Sequence, residues 1–177
     1  MMNVELESMA IEMPVVDGHP NREPFRGVLT IVDQPSDKPP AGARGHRVLL
    51  TRAAAEAALP SLLGMALDYS PSLDRHDTRR KVGVITRAEI TGRNLELSGY
   101  LFAKDFPEIV REIARSGSAN RGELMLSTLG MSYELADASV ADIRASVWTL
   151  TRVTFTGAAI LRRDKAAYRQ TWIALGE

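Results

Sequence analysis

The stretch Val82-Gly83-Val84-Ile85-Thr86-Arg87-Ala88-Glu89-Ile90-Thr91-Gly92-Arg93-Asn94-Leu95-Glu96-Leu97-Ser98-Gly99-Tyr100-Leu101-Phe102 decides how the chain folds. Two runs rich in β-branched and aromatic residues flank Thr91-Gly92-Arg93, and Leu95, Leu97 and Leu101 recur with a period of two. This is a β-hairpin over Val82–Ile90 and Asn94–Phe102. A hairpin at the centre of the chain, with few helices alternating with strands around it, argues against a doubly wound parallel sheet. Working outward, Phe25–Asp33 reads as a strand through Val28-Leu29-Thr30-Ile31-Val32. Gln34–Gly45 reads as a proline- and glycine-rich mobile loop, and His46–Leu50 as a second strand. Thr51 caps an alanine-rich helix that Pro60 ends, with Leu62–Leu67 continuing as a short helical turn. Asp68–Lys81 is polar and irregular.

Beyond the hairpin, Asp105–Ser116 is the clearest helix. Asp105 and Glu108 have capping-box spacing, Phe106, Ile109, Val110, Ile113 and Ala114 form its apolar face, and Gly117 ends it. Strands are expected over Glu123–Leu135 and Ile143–Thr156, and a helix around Arg162–Trp172. The fold class is therefore α+β, a mostly antiparallel sheet or barrel with peripheral helices. Residues 1–24, acidic and then turn-rich, read as a flexible arm, leaving 25–177 as one domain.

Composition narrows the chemistry. The 177 residues carry 22 basic and 22 acidic side chains, so a nucleic-acid-coating role is not expected. The absence of cysteine excludes thiol catalysis, disulfides and thiolate zinc sites. No apolar run has the length of a membrane span, and Met1–Met13 lacks the basic start of a signal peptide. No phosphate-binding loop, dinucleotide fingerprint or nucleophile elbow occurs. The three histidines, His19, His46 and His76, lie far apart, so neither a metal nor another cofactor is expected.

His76, in Arg75-His76-Asp77, and Ser132, in Leu129-Gly130-Met131-Ser132-Tyr133-Glu134-Leu135, remain. A hydroxyl becomes a nucleophile when an imidazole takes its proton, and a third group commonly orients that imidazole. Taken singly, the two residues read as a solvated loop histidine and a strand serine. In order, the segments resemble the prohead maturation protease family of tailed phages, related in fold to herpesvirus assemblin. The resemblance rests on His76-Asp77-Thr78-Arg79-Arg80-Lys81-Val82-Gly83-Val84-Ile85 and on Gly130-Met131-Ser132. It rests also on Leu150-Thr151-Arg152-Val153-Thr154-Phe155-Thr156-Gly157-Ala158-Ala159, and it spans roughly residues 25–170.

The resemblance implies a serine endopeptidase with Ser132 as nucleophile and His76 as general base. It would cleave scaffold or the scaffold-like segment of the major capsid protein, and itself, inside the immature capsid in the host cytoplasm. Gly130-Met131 favours Ser132 over the rival Ser127. The resemblance also implies an oxyanion role for Arg162 and Arg163, and self-association as a dimer. Tyr168, Trp172 and Ile173 are candidates for the dimer interface, with core packing the equal alternative. The Gln34–Gly45 loop is a candidate for self-cleavage or substrate entry. Two positions depart from the family pattern. Glu134 stands where a glycine is expected, and Arg152 aligns with the third catalytic member, where it would repel an imidazolium. Asp77, Glu134, Asp142 and Glu89 remain open as alternatives for that third role. The same departures leave a non-catalytic capsid-assembly module as the alternative function.

Overall fold

The computed structural model describes residues 9–14, 16–117 and 128–176. Among these, the strands are β1 (Met9–Ala10), β2 (Glu23–Ile31), β3 (Arg47–Leu50), β4 (Ala66–Asp68), β5 (Lys81–Thr91), β6 (Asn94–Leu101), β7 (Leu129–Val140), β8 (Val147–Arg162) and β9 (Trp172–Leu175). The helices are α1 (Arg52–Ala58) and α2 (Pro107–Gly117), and a 3₁₀ turn covers Leu59–Leu62.

The strands form one sheet in the order β3-β8-β4-β5-β6-β2-β9. β7 runs antiparallel along one edge of β8, while β3 and β4 share its other edge and both run parallel to it. The remaining pairings are antiparallel. The sheet curls over its core as a half-barrel and does not close, so the barrel alternative is set aside while the sheet-dominated α+β class holds.

Alternation builds the centre. Val82, Ile85, Ala88 and Ile90 of β5 and Leu95, Leu97 and Leu101 of β6 are buried, and they meet Leu29, Leu67, Met131, Phe155 and Ile160. Thr51 caps α1, its hydroxyl accepting from Ala54 N–H at 3.2 Å. α2 buries Ile109 and Ile113. Its expected capping box is not formed: Asp105 accepts from Asn21 Nδ2, and Glu108 accepts from the Tyr69 hydroxyl.

Three local readings are corrected. The expected helical turn over Leu62–Leu67 is instead the end of the 3₁₀ turn followed by β4. Gly64, at φ +77°, turns the chain out of the helix, and its N–H donates to Ile85 O. Of the expected strand pair, residues 123–127 lie outside the described residues; β7 runs on from Leu129 to Val140, past the expected end at Leu135, and β8 runs from Val147 to Arg162, past the expected end at Thr156. The run Gly157-Ala158-Ala159 lies inside β8, flanked by strands on both edges. The expected helix at Arg162–Trp172 is a series of turns leading into β9, which pairs with β2. Side-chain anchors outweigh helix propensity there. Thr171 Oγ1 accepts from Met131 N–H, and the Tyr168 hydroxyl lies 3.1 Å from the carbonyl oxygens of both Gln34 and Val48.

Tyr168 and Ile173 are 2% and 0% exposed, which makes them core residues and removes them as a dimer surface. The same anchors hold the Gln34–Gly45 loop. Asp37 N–H donates to Ala167 O, Ser36 N–H donates to Val48 O, and Ser36 Oγ accepts from Val48 N–H. At the N-terminus, Met9 and Ala10 lie along β5, opposite Ala88 and Arg87.

Burial pushes the Tyr168 phenol up to about 12 and raises the Tyr133 phenol further, with the neighbouring Tyr168 adding to the effect. A tyrosine is neutral while protonated. Between an ordinary phenol's pH of about 10 and the folded value, the folded chain keeps protons that the unfolded chain has released. This contribution is complete below pH ~10 and is lost as the pH rises through the folded values. The denaturant midpoint is therefore expected to fall steeply between about pH 10 and 12, and Tyr133→Phe to flatten that fall. A midpoint independent of pH across this range would show that the two phenols are solvated.

Candidate functional site

Three adjacent strands align one row of residues. Asp68 on β4 is the partner of Ala159 on β8, and Ala159 is the partner of Ser132 on β7. Partners across a sheet project from the same face, and so do residues two apart on one strand. Ser132, Glu134 and Asp68 therefore share a face. His76 lies over it, its Nδ1 3.0 Å from Glu134 Oε1 and 3.8 Å from Asp68 Oδ2. The small residues of β8 form the floor beneath. A Cβ on Gly157 would stand 3.0 Å from Glu134 Oε2, so the bare glycine is what lets that carboxylate lie across β8 toward the imidazole.

Asp68 has no exposed side-chain surface, against 25% for His76 and 20% for Glu134. Its Oδ1 accepts from Asp77 N–H at 2.9 Å, fixing the backbone one residue beyond His76, while Oδ2 faces the ring. Neither Asp68 Oδ2 nor His76 Nδ1 makes an aligned hydrogen bond, although both atoms are shut off from solvent. The 3.0 Å approach of Glu134 is thus an ion-pair distance off the ring N–H direction. The loop carrying His76 is tied down on either side. Leu73 adopts φ +52° in a turn closed by its N–H to Ser70 O, and Leu73 O accepts from Arg162 N–H at the end of β8. Asp74 accepts from the hydroxyls of Ser72 and Ser70, and these bonds hold its carboxyl below the usual range, that of Ser72 foremost.

His76 and Ser132 both line one cleft of about 750 Å³. One wall is apolar, with Val48, Leu135, Trp148 and Leu150, and Pro39–Ala43 of the proline-rich loop borders it. Lys165 brings a cation to the cleft.

The remaining expected site residues are placed as follows. Ser127 lies outside the described residues. Arg152 pairs with Ser139, seven positions along β8 from Ala159, and is exposed. At about 3.3 Å per residue it stands roughly 20 Å from the row that holds Ser132, so it is not the third member of this cluster. Of the four open alternatives, only Glu134 faces His76. Asp77 Oδ1 accepts from Arg79 N–H, Glu89 pairs with Arg87, and Asp142 Oδ1 accepts from Arg144 N–H.

Arg162 and Arg163 are not among the residues lining the cleft. Arg162 lies an odd three positions from Ala159, on the opposite face, and pairs with Asp164 at 3.1 Å. Burial lowers the pKa of the Arg163 guanidinium, and the backbone N–H of Arg163 donates to Thr128 O. The other histidines stand elsewhere: His19 Nδ1 accepts from Asn21 N–H, and His46 stacks on Trp148 at 4.5 Å.

Asp68 is the residue that sequence reasoning missed. Its signal was an acid ending the apolar run Met65-Ala66-Leu67, eight positions before His76. Reading that run as helical hid the fact that a strand aims the acid at the same face as Ser132.

No family model and no curated protein matches the chain. Among solved structures it is similar to the protease of Kaposi's sarcoma-associated herpesvirus in complex with a hexapeptide phosphonate inhibitor. The TM-score is 0.51 and the identity 14%, covering 88% of this chain. This chain spans 65% of the length of that protease. A second structure of that protease, with an allosteric inhibitor, aligns at a TM-score of 0.41 and 14% identity over 87% of this chain and 75% of that one. At this identity the likeness is one of fold: the chain has a herpesvirus-protease-like architecture.

The two oxygens of Asp68 make separable predictions. Asp68→Ala leaves the Asp77 N–H without its acceptor and is expected to cost about 1–3 kcal/mol. It should also open the 69–80 segment to trypsin at Arg75, Arg79 and Arg80. Asp68→Asn keeps an acceptor oxygen and should cost less, with the segment still resistant. Equal losses in thermal melts of the two variants would show that the carboxylate's charge, and not its bond to Asp77, holds the segment.

Proposed function

We propose that this chain is a serine endopeptidase of capsid maturation, working on the scaffold or the scaffold-like segment of a major capsid protein in a phage prohead. The observation that carries the reading is the shared face: Ser132, His76 and Glu134 line one cleft, with the buried Asp68 facing His76 from beneath. The order of the histidine and serine segments and the herpesvirus-protease-like fold support it. With Nδ1 turned to the carboxylates, Nε2 is the ring atom left for the hydroxyl. Ser132 Oγ attacks the peptide carbonyl as His76 Nε2 takes its proton. The imidazolium so formed is stabilised by Asp68 and Glu134. It returns the proton to the leaving amine, and water then releases the acyl group by the same route.

Glu134, the residue that departs from the glycine of the family pattern, supplies charge beside the imidazole in this reading. Lys165 and Arg75 line the cleft, and in this reading Lys165 takes the oxyanion role that the resemblance implied for Arg162 and Arg163. The apolar wall favours substrate segments with aliphatic side chains. Cleavage inside the immature shell and self-association belong to the same proposal, with the buried Tyr168 and Ile173 outside the dimer surface and the half-buried Trp172 still a candidate for it.

The test is co-expression with the capsid and scaffold proteins encoded beside this chain, read by intact mass. Wild type is expected to give discrete products. Ser132→Ala and His76→Ala should each lower the rate by about 10³-fold or more, and Asp68→Asn and Glu134→Gln by roughly 10–10²-fold each, while Arg152→Ala leaves it unchanged. Uncleaved capsid protein in all samples, with shells assembled, would replace the enzyme with a non-catalytic assembly module.

A further inference from the structure

The cluster beside Ser132 contains more negative charge than one imidazole needs. One potential ligand atom from each of Asp68, His76 and Glu134 lies within 4.8 Å of the other two, and His76 Nδ1 stands 3.0 Å from Glu134 Oε1 and 3.8 Å from Asp68 Oδ2. Two carboxylates thus face a ring that carries at most one positive charge. Asp68 Oδ2 is fully buried and has no hydrogen-bond partner, and His76 Nδ1 is likewise closed to solvent without an aligned bond. A buried carboxylate oxygen without a donor is costly, and a cation is one of the few groups that satisfies it.

The spacing fits. Donor atoms about 2.0–2.1 Å from a tetrahedral Zn²⁺ stand roughly 3.3 Å apart. The separations of 3.0 and 3.8 Å from Nδ1 bracket that value. A donor set of one imidazole nitrogen and two carboxylate oxygens suits a borderline first-row cation better than Mg²⁺ or Ca²⁺, which take oxygen shells.

We propose that Asp68, His76 and Glu134 form a binding site for a divalent cation of the Zn²⁺ type, and that its occupancy switches the serine off. The binding half stands on the cluster alone, whereas the switching half rests on the proposed hydrolysis. The metal takes the Nδ1 lone pair of a neutral ring. The ring proton must then sit on Nε2, the atom that would accept the proton of Ser132 Oγ. A ring coordinated at Nδ1 therefore donates its Nε2–H to the hydroxyl oxygen, which is then the acceptor, and it cannot deprotonate the serine. No bond to substrate is made or broken in this step. The cation exchanges with solvent, and the ring recovers its free Nδ1 when the cation leaves.

The full-length chain, stripped with EDTA, is titrated with ZnCl₂ by calorimetry, with MgCl₂ as the control. One Zn²⁺ per chain is expected. Affinity should fall at least tenfold in Glu134→Gln and in His76→Gln, both checked as folded by circular dichroism. It should be unchanged in Ser132→Ala, which lies outside the donor set. Zn²⁺ uptake equal in all variants would assign it to His19 or His46 and overturn the site, as would no uptake by wild type or an equal response to Mg²⁺. In the cleavage assay, Zn²⁺ at the concentration that fills the site should abolish Ser132-dependent turnover, and EDTA should restore it. Turnover unchanged or raised by the filled site would overturn the switch while leaving the protease reading intact. Because calorimetry needs no turnover, a failed protease reading leaves the binding result to stand or fall by itself.

Discussion

A carboxylate with no exposed surface at the end of a three-residue strand is the constraint on which the rest of this site depends. Asp68 is buried with one oxygen bonded by the backbone N–H of Asp77 and the other facing the imidazole of His76 at 3.8 Å without an aligned bond. The first contact shapes the loop and the second aims the ring. A single side chain therefore couples the path of the 69–80 segment to the chemistry of the cleft. The loop has little regular structure of its own, so its geometry comes from this tether and from the turn whose Leu73 carbonyl is bound by β8.

β8 is the second half of that arrangement. It is the one strand that borders β3, β4 and β7 together, and its middle is made of the smallest residues available. Where a floor of larger side chains would lift Asp68, Ser132 and Glu134 apart, Gly157-Ala158-Ala159 lets them lie close over the backbone. Packing on one face and chemistry on the other are thereby separated along a single strand: Phe155 and Ile160 enter the core, while Gly157 and Ala159 carry the row that holds Ser132.

How much of this was legible follows from the range of the interactions involved. The hairpin of β5 and β6, the cap at Thr51 and the amphipathic α2 are set by neighbours in sequence, and the pattern of residues exposed them directly. The elements misread are those that distant partners decide. Leu62–Leu67 and Arg162–Trp172 have acceptable helix propensity. They fold otherwise because Gly64 and Met65 bond to β5, and because Thr171 and Tyr168 bond to β7, Gln34 and β3. The pair Ser132 and His76 stood out by type and order. Asp68 did not, since nothing local says that a three-residue strand ends there and lies two strands away from Ser132. Arg152 stands away from His76 because it lies seven positions along β8 from Ala159, and the β-bulges in the pairing of β7 with β8 hide that separation from any count of residues along the two strands.

The parallel pairing of β4 with β8 also sets the order in which the site comes into being. Its members lie at positions 68, 76, 132 and 134, over a floor at 157–159, so apart from the contacts of Asp68 with the His76-Asp77 pair, those that define it span long stretches of chain. Contacts of high sequence separation form late, after the local hairpin and helices have closed. A chain growing from its N-terminus presents Asp68 and His76 first, the serine some sixty residues later and the strand that joins them last. Until β8 is laid between β4 and β7, the histidine and the serine belong to separate pieces of polypeptide. An unfinished or partly unfolded copy therefore holds all the residues of the site without the site itself.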